Sequence, residues 1–150
     1  MTTNNIGNSL PETFLEQRLF WEMELMNAFP GDCYVDLCKA EIAQLKCKQE
    51  ALTRVYQHFC SVGAGLELRN KSRSLSSVVL PDASAPGAYR YQVFGQAGFY
   101  DINQCNSLGE ALVCAVEEGF TDYDPGAMAA LFGNEEWRKG MQVSEIYIAA

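Results

Sequence analysis

The sequence contains a single histidine and one long stretch without any basic residue. Residues 91–137 hold no lysine, arginine or histidine, yet they include eight acids: Asp101, Glu110, Glu117, Glu118, Asp122, Asp124, Glu135 and Glu136. The whole chain of 150 residues has 19 acids against 11 lysines and arginines, a net charge of −8. Because this acidic window accounts for −8, the other residues balance at 11 acids and 11 bases. Such a charge disfavours nucleic acid and anionic membranes as direct partners.

The sequence also lacks segments that direct a chain to a membrane or out of the cell. No apolar run approaches the roughly 20 residues of a membrane-spanning helix. The start has no basic region followed by an apolar core. The six cysteines include no CxxC pair, which disfavours a structural zinc site. We therefore expect a cytoplasmic protein whose cysteines are free thiols, with no metal and no cofactor.

Catalytic motifs are equally scarce. His58 is the sole candidate base for a serine or cysteine triad. It lies two residues from Cys60 on a predicted helix, so the two side chains point in different directions. Asp122 and Asp124 alternate as in an EF-hand loop, but glycine stands at position 133, where such a loop needs glutamate. We predict no catalytic residue and no metal ligand.

The first part of the chain has the apolar spacing of two helices. Large apolar residues recur at steps of mostly three and four over 14–29, after a start signal at Ser9, Pro11 and Glu12. Residues 30–32 break the pattern, which resumes over 33–60 and ends near Gly63. The short connection predicts an antiparallel helical hairpin over residues 9–62, after a polar tail over 1–8.

The second part has the patterns of strands and short helices. Residues 63–88 are a connection rich in glycine, serine and proline, with a possible strand over 74–80. A β-hairpin follows over 89–102, turning at 95–98. Ser107 and Glu110 form a capping box for a helix that ends at Gly119. Asp124 begins a short helix that ends at Gly133, and residues 143–148 resemble a last strand. We expect one α+β domain over 1–150, with the hairpin packed against a small, mainly antiparallel sheet and two or three short helices.

The acids of the window are the candidate binding residues. Those at predicted helix starts are stabilised by free backbone amides, whereas Glu117, Glu118 and Asp122 lie near a helix C-terminus without a basic neighbour in sequence. Aromatic residues of the window could supply anchors. The predicted partner-binding set is Glu117, Glu118, Asp122, Asp124, Glu135, Glu136, Tyr123 and Trp137. The simpler interpretation is a solvated surface that keeps the protein soluble.

These features predict a non-enzymatic acidic interaction module that binds and inhibits or regulates a basic partner. Basic grooves are most abundant on nucleic-acid-binding machines, where carboxylates could occupy phosphate sites. Acidic anti-defence inhibitors of phages and mobile elements, such as anti-CRISPR and antirestriction proteins, work in this manner; the likeness is one of size and charge.

Two further hypotheses stay open at this stage. One is a small enzyme or ligand-binding domain with a pocket between hairpin and sheet. The other concerns the oligomeric state, because the wide apolar surface of the hairpin fits a monomer and a homodimer equally well. The clustered bases Arg69, Lys71 and Arg73 are interpreted as a solvated loop.

Overall fold

The computed structural model describes residues 13–132, which form an α+β fold, as the sequence predicts. The helices are α1 (Leu15–Asn27), α2 (Cys33–Val62) and α3 (Leu108–Glu117). The strands are β1 (Leu66–Asn70), β2 (Leu75–Pro81), β3 (Tyr89–Gly95), β4 (Gly98–Cys105) and β5 (Asp122–Tyr123), and a 3-10 helix spans Ala129–Leu131. Contacts divide the chain into two compact units, Met1–Arg54 and Val55–Ala150. The single domain over 1–150 therefore stays a prediction.

The first unit is the predicted antiparallel helical hairpin. Just before α1, the Phe14 ring centroid lies 6.0 Å from the Nζ of Lys48 in α2. Farther along α1, the Trp21 ring lies 6.5 Å from that of Tyr34, at the start of α2. The Tyr34 hydroxyl also donates to Glu24 Oε1 at 3.1 Å. Residues later in α1 thus contact residues earlier in α2, as two antiparallel helices require.

The start of α1 differs from the prediction in its position. The helix begins at Leu15, and Phe14 precedes it without a side-chain capping bond. The predicted start signals Ser9, Pro11 and Glu12 lie outside the described residues, as does the whole tail over 1–8. The predicted second helix is confirmed, because α2 ends at Val62, next to Gly63.

The second unit is built around a five-stranded antiparallel sheet in the order β4-β3-β2-β1-β5. The predicted β3–β4 hairpin is confirmed, with Gly95 paired to Gly98 across its turn. On one face, the paired residues Val79 and Tyr91 are almost fully buried. Phe94 is buried on the opposite face. There it packs with Val78 and with partly buried residues at 127, 128 and 131.

The connection predicted over 63–88 contains two strands rather than one possible strand. Strand β2 matches the predicted strand over 74–80, whereas β1 was not predicted. Its Leu66 and Leu68 are fully buried and alternate with Glu67, the period expected of a half-buried strand. Arg69 belongs to β1, but Lys71 lies in the exposed turn that follows. The three clustered bases therefore do not share one strand.

The predicted helix over 124–133 is wrong. Strand β5 ends at Tyr123, a turn follows, and between there and residue 132 the short 3-10 helix is the only helical element. The carboxylate of Glu67 replaces the expected Asp124 cap, because its oxygens accept the backbone N–H of Gly126 at 3.0 Å and of Met128 at 2.6 Å. Gly126 has φ +83°, a left-handed conformation that excludes a helix there.

Several predicted features near the C-terminus lie outside the described residues. They are the binding residues Glu135, Glu136 and Trp137 and the strand over 143–148.

Across residues 13–132, none of the helices combines the length and apolar character needed to span a bilayer.

Candidate acidic cleft

An acidic cleft lies between α3 and the strands β3 and β4. Its volume is about 400 Å³. The residues that line it are Tyr91, Asn103, Gln104, Cys105, Glu110, Cys114, Glu117 and Glu118. Three of these are carboxylates, all on or next to α3, and no basic residue of the described chain is among them. We call this the acidic cleft.

The start of α3 places Glu110 at the cleft. Ser107 is extended at φ −151°, and its Oγ accepts the backbone N–H of Glu110 at 3.2 Å. In return, Glu110 Oε2 accepts the backbone N–H of Asn106 at 3.4 Å. The predicted capping box is therefore present, with the glutamate reaching one residue before the cap. Glu110 lies in the first turn of α3, where the free backbone N–H groups stabilise a carboxylate.

The end of α3 places Glu117 and Glu118 at the other side of the cleft. The backbone N–H of Gly119 donates to Val116 O at 3.0 Å, and that of Phe120 to Ala115 O at 2.9 Å. These two bonds form a Schellman motif, with Gly119 left-handed at φ +95°. Gly119 thus ends the helix, as predicted.

A buried asparagine fixes this helix end to the sheet. Asn70 closes β1 and is 3% exposed. Its Nδ2 donates to the backbone carbonyl of Glu118 at 2.8 Å, and its Oδ1 accepts the backbone N–H and hydroxyl of Ser72. The asparagine therefore satisfies a carbonyl that the helix leaves unpaired, and it sets where the two exposed glutamates stand.

Three other ionisable groups, the Tyr91 phenol and the Cys105 and Cys114 thiols, line the cleft beside the carboxylates. Burial raises the pKa of the Tyr91 hydroxyl, and hydrogen bonding to Glu118 raises it further. Burial likewise raises the pKa of Cys105 to about 11, with the Cys114 thiol as the next cause. The pKa of Cys114 is raised by burial and by the nearby Glu110. The phenol and both thiols are therefore neutral near pH 7, and the charge of the cleft comes from its carboxylates.

The other predicted binding residues of the described chain lie elsewhere. Asp122 belongs to β5 rather than to a helix end, and β5 pairs it with Arg69 of β1. Its Oδ2 lies 3.4 Å from the Nζ of Lys71, so the expectation that it has no counter-charge nearby is wrong. No base lies near Asp122 in the sequence, but the pairing of β5 with β1 brings Lys71 close to it. None of these three residues lines the acidic cleft.

Tyr123 and Asp124 have structural contacts. The Tyr123 ring stacks on His58 of α2, with centroids 4.3 Å apart and planes inclined by 25°. The backbone N–H of Asp124 donates to Glu67 O at 3.1 Å, which extends the β1–β5 pairing. Glu117 and Glu118 therefore line the acidic cleft, whereas Asp122, Tyr123 and Asp124 do not.

The sequence prediction missed the partners of Glu117 and Glu118. Glu110, Cys114 and Glu117 are four and three residues apart, a spacing that places them on one helix face. Tyr91 and Asn103 face each other across β3 and β4. The helix spacing was visible in the sequence, whereas the pairing of the strands and their packing under α3 were not.

The three carboxylates can attract cations to the cleft. Among residues 13–132, the ion pairs are Arg18–Glu22 and Lys71–Asp122, so none involves a cleft carboxylate. Within the same residues, no group of three histidine, cysteine or acidic side chains is arranged to hold a metal ion. His58 does not line the cleft.

No protein-family model matches the chain, and neither the curated proteins nor the solved structures include a match to it.

Proposed function

We propose that this chain is a small acidic interaction module whose acidic cleft receives a basic side chain of a partner protein. The observation that carries the proposal is the set of three carboxylates, Glu110, Glu117 and Glu118, around one cleft whose described lining contains no base. The partner supplies the missing positive charge. Binding covers a basic surface of the partner, and the module thereby inhibits or regulates it.

The cleft suits a guanidinium or ammonium group. A volume of about 400 Å³ is ample for one arginine or lysine side chain. The carboxylates accept charge-assisted hydrogen bonds, and the planar guanidinium can make two such bonds at once. Asn103 and Gln104 add neutral amide groups along the strand side. These groups recognise a cation by direct contact, in addition to the attraction of the net charge of −8.

The partner class follows from charge. A basic groove that normally holds nucleic-acid phosphates also suits carboxylates, so a nucleic-acid-binding machine is our concrete proposal for the partner. An anti-defence inhibitor directed at such a machine fits the size and charge of this chain. We propose the cytoplasm as the location of this interaction, and the six free thiols are consistent with such a reducing compartment.

The neutral thiols favour binding over the alternative of a small enzyme. A thiol with its pKa raised to about 11, as at Cys105, is almost fully protonated near pH 7 and is a weak nucleophile. The ring of His58, the sole histidine, stacks on Tyr123 instead of meeting a cysteine in the cleft.

Affinity capture at two salt concentrations tests the proposal. The tagged chain, a Glu117→Lys/Glu118→Lys variant and an Asp36→Lys/Glu50→Lys control are incubated with lysate of the native host. Both variants change the net charge equally, and all four positions are exposed. We expect the wild type and the control to retain a basic protein at about 50 mM salt and to release it at about 500 mM salt. The cleft variant should not retain this protein. A basic partner retained equally by the cleft variant, or no basic partner at low salt, would refute the proposal.

A further inference from the structure

Helix α1 has two apolar faces, and the hairpin uses one of them. The inner face consists of the apolar residues Phe14, Trp21 and Leu25 together with Arg18. These residues follow one another at steps of four, three and four, and each is buried or half-buried. Phe14 and Trp21 contact α2 residues, as described above. A helix that packs against a single neighbour needs one such face, with polar residues opposite.

The opposite face is apolar as well and is exposed. Leu19, Met23 and Met26 are four and three residues apart and are 50, 60 and 81% exposed. Phe20 borders them at 54%, and Phe29, just past the helix, is 80% exposed. We call these five residues the outer face of α1. Within residues 13–132, these five residues remain 50 to 81% exposed, although exposed apolar residues on a monomer are usually scattered.

The outer face has the area that a dimer interface needs. At roughly 200 Å² for each fully exposed large side chain, the five residues expose about 650 Å². That is slightly above the usual range of the largest apolar patch on an ordinary monomer. Two copies in contact would bury at most about 1,300 Å² in total, which is close to the lower bound for a specific interface.

We infer that the outer face of α1 is a self-association surface and that its occupant is the outer face of a second copy. A two-fold axis through Met23 makes the contact self-complementary, because Leu19 of each copy then meets the Met26–Asn27 end of the other. The side chains of Met23 and Met26 are flexible enough to fill the contact closely.

The position of Glu16 selects the antiparallel arrangement. Glu16 stands on the same side of α1 as Met23 and Phe20, seven and four residues away. A parallel pair would bring the two Glu16 carboxylates together. In the antiparallel pair, each lies beyond the end of the other helix, so the two carboxylates stay apart.

Charge argues against an anionic lipid surface as the occupant. Helix α1 carries Glu16, Glu22 and Glu24 against Arg18 as its one base. Anionic lipid would repel this helix, which lacks the lysines and arginines of membrane-bound amphipathic helices.

Analytical ultracentrifugation of the full chain tests the inference. We expect the mass to rise from 16.6 kDa toward twice that value as the concentration approaches about 100 µM. The Met23→Glu variant should stay monomeric at the same concentration. The Gln17→Glu variant is the matched control: it adds the same charge at an exposed position between the two apolar faces, and it should still dimerise. Circular dichroism checks that both variants fold.

The salt dependence separates this contact from the acidic cleft. Each copy carries −8, so added salt should preserve or strengthen the dimer, whereas it should weaken binding of a basic partner. A wild type that remains at 16.6 kDa at about 100 µM would overturn the inference. So would a dimer that survives Met23→Glu, or one that dissociates in high salt.

Discussion

Replacing Gly119 by alanine should destabilise the second unit more than the same change at another helix-ending glycine. Gly119 has φ +95°, and a Cβ at this position would lie 2.8 Å from Asn70 Nδ2. That amide donates to the carbonyl of Glu118. Gly63, after α2, has φ +79° but nothing within 4 Å of its Cβ position. Both glycines are left-handed, but of the two only Gly119 has the Asn70 side chain next to its Cβ position.

The expected magnitudes follow from these two contributions. A left-handed alanine costs about 1 kcal/mol at either site. At Gly119 the Asn70 amide must also move, which costs about 1 to 2 kcal/mol more because it weakens a buried hydrogen bond. We therefore expect a loss of about 2 to 3 kcal/mol in the free energy of unfolding for Gly119→Ala and about 1 kcal/mol for Gly63→Ala.

Urea unfolding followed by far-ultraviolet circular dichroism measures these losses, and a double-mutant cycle assigns their cause. In an Asn70→Ala background, the steric conflict is gone, so Gly119→Ala should cost only about 1 kcal/mol there. Equal costs for Gly119→Ala in both backgrounds, or equal costs at Gly119 and Gly63, would refute the account of this helix end.

Three further predictions concern single groups of the second unit. Glu67→Ala removes a carboxylate that binds two backbone N–H groups, so the free energy of unfolding should fall by about 1 to 2 kcal/mol in urea titration, whereas Glu67→Gln should lose less. Because the pKa of Tyr91 is raised in the folded state, its contribution to stability should be complete below about pH 10 and be lost as the pH rises further; thermal melts of Tyr91→Phe should lack that part of the alkaline loss. Cys105, buried and with its pKa at about 11, should react with iodoacetamide far more slowly at pH 8 than exposed Cys47, as mass spectrometry of the labelled peptides would show.

The parts of the fold that were predictable depend on local chemistry. The β3–β4 hairpin follows from Gly95 and Gly98 between alternating residues, and the start of α3 from Ser107 and Glu110. The end of α3 follows from Gly119. Each of these signals acts within a few residues of the backbone it controls, so the sequence alone is enough to predict the element.

The parts that were mispredicted depend on contacts between distant residues. Asp124 has the sequence of a helix start, yet Glu67, 59 residues before Gly126, provides the cap there. Asp122 has no base near it in sequence, yet the β1–β5 pairing brings Lys71 to 3.4 Å. Sequence spacing cannot show either contact, because strand order and register decide both.

The candidate site was predictable to the same extent. The acidic window identified Glu117 and Glu118, and helix spacing would have added Glu110. Tyr91 and Cys105 required the packing of α3 on β3 and β4. Of the acids in the acidic window, the structure thus places Glu110, Glu117 and Glu118 around one cleft.

We propose that the carboxylates of the acidic cleft, rather than the net charge of the chain, bind the basic partner. Isothermal titration calorimetry with the captured partner at low salt measures this directly. We expect Glu117→Lys/Glu118→Lys to weaken binding about tenfold to a hundredfold, while the Asp36→Lys/Glu50→Lys control stays within about threefold of the wild type. Equal weakening by the two variants would show that only net charge matters and would contradict the claim.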